Sequence, residues 1–485
     1  MNNYDTICAI STPSGVGGIA VIRVSGDEAV SICDKIFISQ NGKKLSETDA
    51  NKVIFGKIIA PTPTLPTREG VSPLSCGLGE RSIAEQTDRC IDEVLVTVFR
   101  APHSFTGEDT VEISCHGSLY VQQEILQMLL ANGASLAQAG EFTQRAFLNG
   151  KMDLTQAEAV ADLIASTHAA AHRLAMRQMR GGFSAKLAEL RAKLVHFASL
   201  IELELDFSEE DVEFADRTQV KEFAVRILDV MQQLADSFRL GNAVKNGIPV
   251  AIVGETNAGK STLLNSLFNE DKAIVSDIHG TTRDAIEDVL NLRGRVFRFI
   301  DTAGIRKTKD YIESIGISRT YKKMEQASIV LWMFDAQQSI YDVMRMQRRI
   351  YMLTESEKIL PIANKCDLIT DVKRKQIQEK IHDIVFLTAK NKEGIDTLID
   401  ILIAKSNISD IDTQEVVVTN LRHYEILTRA IVSIQKVISG LDTQLASDFL
   451  AQDIREAIYI LGEITGEISN QDILTTIFEK FCIGK

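Results

Sequence analysis

The chain has 485 residues, room for roughly three domains, with the 45% apolar and 25% charged content of ordinary soluble proteins. No apolar run approaches the ~20 residues of a membrane span, and the opening, with Asp5 and early glycines, does not read as a secretion signal. The net charge of −13 argues against a protein living mainly on nucleic-acid phosphates, unless a local patch or a partner supplies the positive surface.

Seven cysteines lie scattered without metal-type pairing, which suits a reducing cytoplasm. Residues 1 to about 152 precede any long helical pattern. Thr6 to Ile10 and Ile19 to Val24 read as strands around the turn Gly15-Val16-Gly17-Gly18, a hairpin more readily than a ligand loop. Val53 to Ala60, Glu93 to Phe99 and Thr110 to Ser114 read as further strands, and Tyr120 to Leu130 as a helix. Pro61 to Cys90 is rich in Pro, Gly, Ser and Thr and reads as a long surface loop carrying two exposed thiols, Cys76 and Cys90.

Pro102 is followed by no proline until Pro249, and the stretch between them is patterned for helices. Ala157, Val160, Ala161 and Ile164 share a face, as do Leu187, Leu190, Leu194, Phe197, Leu200 and Ile201. The pattern breaks near Gly181-Gly182, and the acidic stretch Asp206 to Asp216 reads as a solvated loop.

Ile248 to Val253 then reads as a strand, followed by Gly254-Glu255-Thr256-Asn257-Ala258-Gly259-Lys260-Ser261 and an apolar-periodic helix through Leu263, Leu264, Leu267 and Phe268. Strand, glycine loop and helix in that order form a phosphate-binding P-loop. Backbone N–H groups from Asn257 to Thr262 face the phosphates, Lys260 reaches the β- and γ-phosphates, and Ser261 offers a hydroxyl to Mg²⁺. Gly280-Thr281-Thr282-Arg283-Asp284 follows, with Thr282 placed for Mg²⁺ beside the γ-phosphate. Phe297 to Ile300 reads as a strand ending in Asp301-Thr302-Ala303-Gly304, where Asp301 resembles a Walker-B carboxylate and Gly304 offers its N–H to the γ-phosphate. Ile359 to Ala363 reads as a strand ending in Asn364-Lys365-Cys366-Asp367. The Asp367 carboxylate can take two hydrogen bonds from guanine N1–H and N2–H₂, which adenine does not offer. Thr388-Ala389-Lys390 fits a backbone contact to guanine O6. Five such words in this order indicate a GTP-binding domain.

From about 421 to 479 the chain is again patterned for helices, without a proline. The expected architecture is multi-domain: an α+β N-terminal domain at 1–152, a discontinuous α-helical domain at 153–246 and 409–485, and an inserted α/β P-loop GTPase domain at 247–408.

With these residues in hand, the chain resembles the MnmE (TrmE) family of tRNA-modifying GTPases over nearly its full length. The words that carry the resemblance are Asp5-Thr6-Ile7-Cys8-Ala9, Gly17 to Gly26, Ser104-Phe105-Thr106-Gly107-Glu108-Asp109, Gly140 to Asn149, Lys151-Met152-Asp153-Leu154 and Phe481-Cys482-Ile483-Gly484-Lys485. It implies that the N-terminal domain makes a homodimer and binds a reduced folate, 5,10-methylenetetrahydrofolate or 5-formyltetrahydrofolate. The family's folate contacts fall on Arg23, Glu112, Lys151 and Lys485. Cations there suit the folate glutamate carboxylates, and a carboxylate suits the pterin N–H groups. The resemblance also implies an FAD-containing partner of the MnmG type, in a heterotetramer or larger assembly. Together they would add an aminomethyl or carboxymethylaminomethyl group to the wobble uridine of tRNA. Two departures stand out: the 61–90 stretch is longer than the family's, and Glu255-Thr256 replace an Arg-Pro type pair in the P-loop.

Ras-type enzymes orient the attacking water with a glutamine after Asp-x-x-Gly. Here that position is Ile305, which can neither donate nor accept. The resemblance implies two substitutes. One is a K⁺ ion at the β–γ bridge, held by Asn257 and by carbonyls of Ser276, Ile278 and Thr281; the other is Glu313 as the catalytic carboxylate, acting beside Lys260. Cys482 sits where a prenylation signal would have its cysteine, but Gly484 and Lys485 do not suit that signal, and a packed or ligand-adjacent thiol is the simpler reading. The rival to a modification enzyme is an RNA-binding ribosome-assembly GTPase switch, which usually carries a second GTPase domain or a Gly-x-x-Gly RNA module.

Overall fold

The alternating segments near the N-terminus become one sheet. In this computed structural model the described residues are 5–60, 89–206, 217–270, 288–293, 295–300, 324–325, 327–406, 416–468, 471–479 and 481–484. They fall into two units, Met1–Ala161 with Thr465–Lys485, and Asp162–Ile464.

The first unit holds strands β1 (Ile7–Ile10), β2 (Ile19–Ser25), β3 (Phe37–Ser39), β4 (Val53–Ala60), β5 (Arg89–Phe99), β6 (Thr110–His116) and β7 (Ser135–Leu136). Their order is β3-β4-β5-β6-β2-β1-β7, antiparallel except for the β1–β7 pair. The β1–β2 hairpin closes over the expected glycine turn. Alternation turns Ala20, Ile22 and Val24 of β2, and Val111 and Ile113 of β6, into one core with Ile32, Ile125 and Leu129 from helices Ala29–Asp34 and Leu119–Ala131. Burial in this unit pushes the thiols of Cys8 and Cys115 up to about 11, so neither is a nucleophile near neutral pH. Arg89 and Cys90 belong to β5, paired with Ala60 and Ile59, rather than to the loop expected there; residues 61–88, with Cys76, lie outside the described residues.

The end of the chain packs in this first unit. Leu474, Phe478 and Phe481 share a core with Leu154 and Ala157. Ala139 and Ile483 form a backbone bridge, and the Ser11 hydroxyl donates to the Gly484 carbonyl at 3.0 Å. The segment expected as one body, 409–485, is therefore divided between the two units.

In the second unit, helices Gly182–Asp206 and Arg217–Asn246 precede the nucleotide-type domain, while Leu421–Asp442 and Ser447–Thr465 follow it. Leu187, Leu194, Phe197, Ile227 and Met231 from before it share one core with Ile434, Val437, Ile454 and Leu461 from after it. The expected break near Gly181 separates helix Ala169–Met179 from Gly182–Asp206. Inserted between these helices are β8 (Ile248–Val253), β9 (Asp288–Leu292), β10 (Arg295–Phe299), β11 (Ile329–Asp335), β12 (Ile359–Asn364) and β13 (Val385–Phe386). They are ordered β13-β12-β11-β8-β10-β9 and parallel apart from the β9–β10 edge. Leu263, Leu267, Ile395 and Leu402 cover one face, and Val343, Ile350 and Ile377 the other. A parallel sheet covered on both sides explains why β11 is apolar along nearly its whole length. Among the described residues no helix is long and apolar enough to cross a membrane.

The segment after the inserted domain is stapled to the long helix Arg217–Asn246. Val418 N–H donates to Ser237 Oγ of that helix at 3.0 Å, while Gln178 Nε2, on helix Ala169–Met179, donates to Thr419 Oγ1 at 2.9 Å. Gly241 lies where a Cβ would overlap the Val418 carbonyl. Gly241→Ala should therefore destabilise the protein: alanine favours the helix by about 1 kcal/mol, but overpacking against backbone costs about 1–3 kcal/mol. A urea unfolding midpoint below wild type checks this; an unchanged or raised midpoint would mean that the contact yields freely.

Candidate functional site

The P-loop follows β8 and opens helix Lys260–Glu270. Its turns need positive φ, which Gly254 (153°), Asn257 (66°) and Gly259 (98°) supply. Asparagine tolerates the left-handed region better than most residues, so its place here has a backbone reason besides any ligand role. A Cβ on Gly254 would overlap the Met333 carbonyl of β11, and one on Gly259 would overlap the Asn364 amide nitrogen. The loop is thus pressed onto the ends of β11 and β12. Lys260 Nζ donates to the carbonyls of Gly254 at 2.7 Å and Glu255 at 2.6 Å, so the ammonium spans the loop. Ala258 is buried, while Ser261 and Thr262 stand exposed at the positive start of the helix.

Asn364 ends β12 and is 3% exposed. Its Nδ2 donates to Ala258 O at 2.8 Å, and its Oδ1 accepts from Ala389 N–H at 3.0 Å. Ser266 Oγ, from the P-loop helix, donates to Ala389 O at 2.7 Å. Three stretches far apart in sequence are thereby held as one rim. Lys365 takes a left-handed φ of 62° and pairs with Asp335 at 2.7 Å. Asp367 is exposed in the short turn Cys366–Leu368 beside that rim, and Lys390 is exposed after buried Thr388 and Ala389. This arrangement offers backbone donors and a helix start for phosphates at one end, and a free-standing carboxylate for a base at the other.

Of the expected nucleotide and metal residues, Asn257 to Thr262, Asn364, Lys365, Asp367 and Thr388 to Lys390 are placed together. Ser276, Ile278, Thr281, Thr282, Asp301, Thr302, Ala303, Gly304, Ile305 and Glu313 lie outside the described residues.

In the first unit, Arg23 and Glu112 are direct cross-strand partners on β2 and β6. Arg23 Nη2 and Nε donate to Glu112 Oε1 at 2.7 and 2.9 Å. The guanidinium also lies 5.6 Å from the Phe105 ring centre and 5.7 Å from that of Phe142. Beside it, Arg145 pairs with Glu108 at 3.3 Å and Glu141 at 2.9 Å, and Ser25 Oγ donates to Glu108 at 2.8 Å. Lys151 is exposed and donates to Pro102 O at 2.8 Å. Lys485 lies outside the described residues, though its neighbour Gly484 packs on Ile10 and Ser11. Sequence reasoning assigned no role to Phe105, Phe142 or Arg145. Each does sit inside a word that carried the family resemblance, and that was the available signal.

Comparison with known proteins agrees over the whole chain. The family described as GTP-binding protein TrmE N-terminus matches residues 6–151, and the MnmE helical domain matches residues 154–482. A relative from Bacteroides thetaiotaomicron, named tRNA modification GTPase MnmE, is 51% identical over 491 residues, covering 100% of both chains. Proteins of the same name from Parabacteroides distasonis and Flavobacterium psychrophilum are 52% and 49% identical, covering 99% of this chain and 100% and 99% of theirs. Among solved structures, Era from Aquifex aeolicus bound to GDP and AlF₄⁻ matches at 26% identity over 38% of this chain and 65% of that one. Its TM-score is 0.26, and the fold assignment rests on the strand order above instead. Matched by both family descriptions and by relatives along its full length, the chain belongs to the MnmE (TrmE) family.

Proposed function

We propose that this protein is a cytoplasmic GTPase of tRNA modification, working as a homodimer with an FAD-containing partner on the C5 position of the wobble uridine. The observation that carries the nucleotide half is buried Asn364, tying the P-loop at Ala258 to the base-side loop at Ala389. Backbone N–H groups of Asn257 to Thr262 bind the phosphates. Lys260 exchanges its loop carbonyls for the β- and γ-phosphate oxygens. Asp367 accepts from guanine N1–H and N2–H₂, and the Thr388–Lys390 backbone meets O6. Ser261, with Thr282, would hold Mg²⁺. Asn257, with Ser276, Ile278 and Thr281, would hold K⁺, whose charge takes the part an arginine finger plays elsewhere at the β–γ bridge. Asp301 to Gly304 and Glu313 complete the proposed hydrolytic set, Glu313 orienting water where Ile305 does not.

The one-carbon half rests on the ion pair Arg23–Glu112 beside two aromatic rings. A reduced folate would supply the one-carbon unit there. Arg23, Lys151 and Lys485 would hold its carboxylates, and Glu112 the pterin N–H groups. Residues 1–152 would form that domain, 247–408 the GTPase domain, and 153–246 with 409–485 the discontinuous helical domain. A ribosome-assembly switch, the rival, has no use for the Arg23 cluster. Pull-down from the host tests the reading: a flavoprotein and tRNA should come with the chain, and ribosomal subunits without them would favour the rival.

Replacing Asp367 should move base preference. Asp367→Asn loses two charge-assisted hydrogen bonds of about 1.5–3 kcal/mol in net effect. GTP affinity should fall by about tenfold to a hundredfold, with xanthosine triphosphate gaining. Calorimetric titration of both nucleotides decides this, and equal affinity of wild type for ATP and GTP would end the claim.

Cation choice is the second expectation. GTP turnover should be high in KCl and low in NaCl, and Asn257→Ala should remove that difference. Arginine fingers contribute roughly 10³–10⁵ in rate, so even part of that is easily measured. Glu313→Ala should cut turnover while sparing GTP binding. Steady-state assays in the two salts check both variants; equal wild-type rates would sink the cation model.

Deleting Lys485 should weaken binding of 5-formyltetrahydrofolate and leave GTP affinity unchanged. Fluorescence titration reads both, and a wild-type protein that binds no folate would overturn the one-carbon assignment.

A further inference from the structure

Glu255 is the second residue of the P-loop, and it brings a negative charge to a loop built for phosphates. Its own backbone carbonyl accepts from Lys260 Nζ at 2.6 Å, so the residue stands at the rim that the lysine spans. An unrestrained carboxylate here could swing over the phosphate cradle. It does not, because Glu255 Oε2 accepts from Gln338 Nε2 at 2.7 Å.

Gln338 is itself well anchored. It lies just past β11, where its N–H donates to Asp335 O at 3.1 Å. The neighbouring Gln337 N–H donates to Asp335 Oδ1 at 2.9 Å, and Ala336 N–H to Asn364 O at 2.9 Å. Lys373 donates to the Gln337 carbonyl, and Ser339 caps helix Ile340–Tyr351. The turn bearing Gln338 is therefore fastened to the base-side rim, and its side chain reaches across to the phosphate-side rim. An amide suits the task because it donates to a carboxylate without adding charge of its own.

We propose that Gln338 is a positioning residue for nucleotide binding, holding the Glu255 carboxylate on the outer rim of the P-loop and away from the triphosphate. The inference rests on the GTP-binding reading and adds a further tie between the two rims. It predicts a penalty that is electrostatic and that belongs to Glu255. Freed, the carboxylate repels the more highly charged triphosphate more than the diphosphate. Because the pair is exposed, salt should screen that repulsion.

The test uses the full chain with mant-GTP and mant-GDP as fluorescent probes. Gln338→Ala and the similarly sized Gln338→Met should each weaken mant-GTP by about threefold to tenfold at low salt, as expected for a like-charge contact in partly screened surroundings. Mant-GDP should be weakened less, and both penalties should shrink as NaCl is raised. In a Glu255→Gln background, adding either change at 338 should have no further effect. Wild-type affinity in both single variants overturns the proposal. So does a penalty that persists in the Glu255→Gln background or ignores salt, since that would mark Gln338 as a packing residue. A wild-type chain that binds neither probe overturns the GTP reading together with this inference.

Discussion

The nucleotide rim depends on one buried carboxamide. Asn364 has a single amide with which to satisfy the Ala258 carbonyl and the Ala389 N–H, and it satisfies both. An apolar residue at that place would leave both backbone groups buried and unpaired, at about 1–3 kcal/mol each. Aspartate would set a carboxylate oxygen against the Ala258 carbonyl. The same amide also dictates the residue facing it. Gly259 has a φ of 98°, and a Cβ there would overlap the Asn364 nitrogen, so glycine is required twice over. The P-loop and the Asn-Lys-x-Asp word look like separate signals along the chain, yet they are two halves of one contact. That is the physical reason their joint occurrence is far more telling than either alone.

The first unit divides its labour by strand alternation. Ile22 and Ile113 face the helices and build the core, while their neighbours Arg23 and Glu112 project from the other face of the same two strands. A partly buried ion pair is weak evidence for stability, because desolvation offsets much of the attraction. Arg23 has a further reason to be where it is, since Phe105 and Phe142 flank its planar cation. Neither ring lies on a strand; Phe105 is in the loop between β5 and β6, and Phe142 is on helix Glu141–Leu148.

How much of this was legible in the sequence depended on where each signal resides. β4 and β8 appear at the residues their patterns indicate, since alternation in one and the glycine-lysine word after the other define them locally. β11 was passed over although six of its seven residues are apolar. It is buried on both faces, so it has no period, and a continuous apolar run cannot be told from a buried helix segment by pattern alone. β13 has two residues and no pattern at all. The helix Gln471–Phe478 was legible as a helix, but its spacing does not say which core it joins. That is settled by Phe478 and Phe481 meeting Leu154 and Ala157, more than 300 residues away in the chain. Composition misled at Arg89 and Cys90 for a related reason: their pairing with Ala60 and Ile59 is a property of the partner strand.

The connection between helix Arg217–Asn246 and β8 is short and closely packed. A single residue, Gly247, separates them, with a left-handed φ of 82° and no room for a Cβ beside Val296. β8 then runs between β10 and β11 and ends where the P-loop begins. A strand held on both edges and covered on both faces cannot slide by itself. The P-loop is thus fixed to the sheet as a whole, and Gly247 is the short link from that sheet to the helix before it. The returning segment lands on the same helix, with Val418 against Gly241 and its N–H on Ser237. Both crossings between the inserted sheet and the bundle thus meet this helix, and the return is also tied through Thr419 to Gln178. Near the Gly247 link, Lys245 holds Asp162 at 2.7 Å in largely shielded surroundings. Breaking a pair so shielded from water would leave two poorly solvated charges, so it resists separation. The crossing is therefore stiff in its packed backbone and is braced further by this largely shielded ion pair.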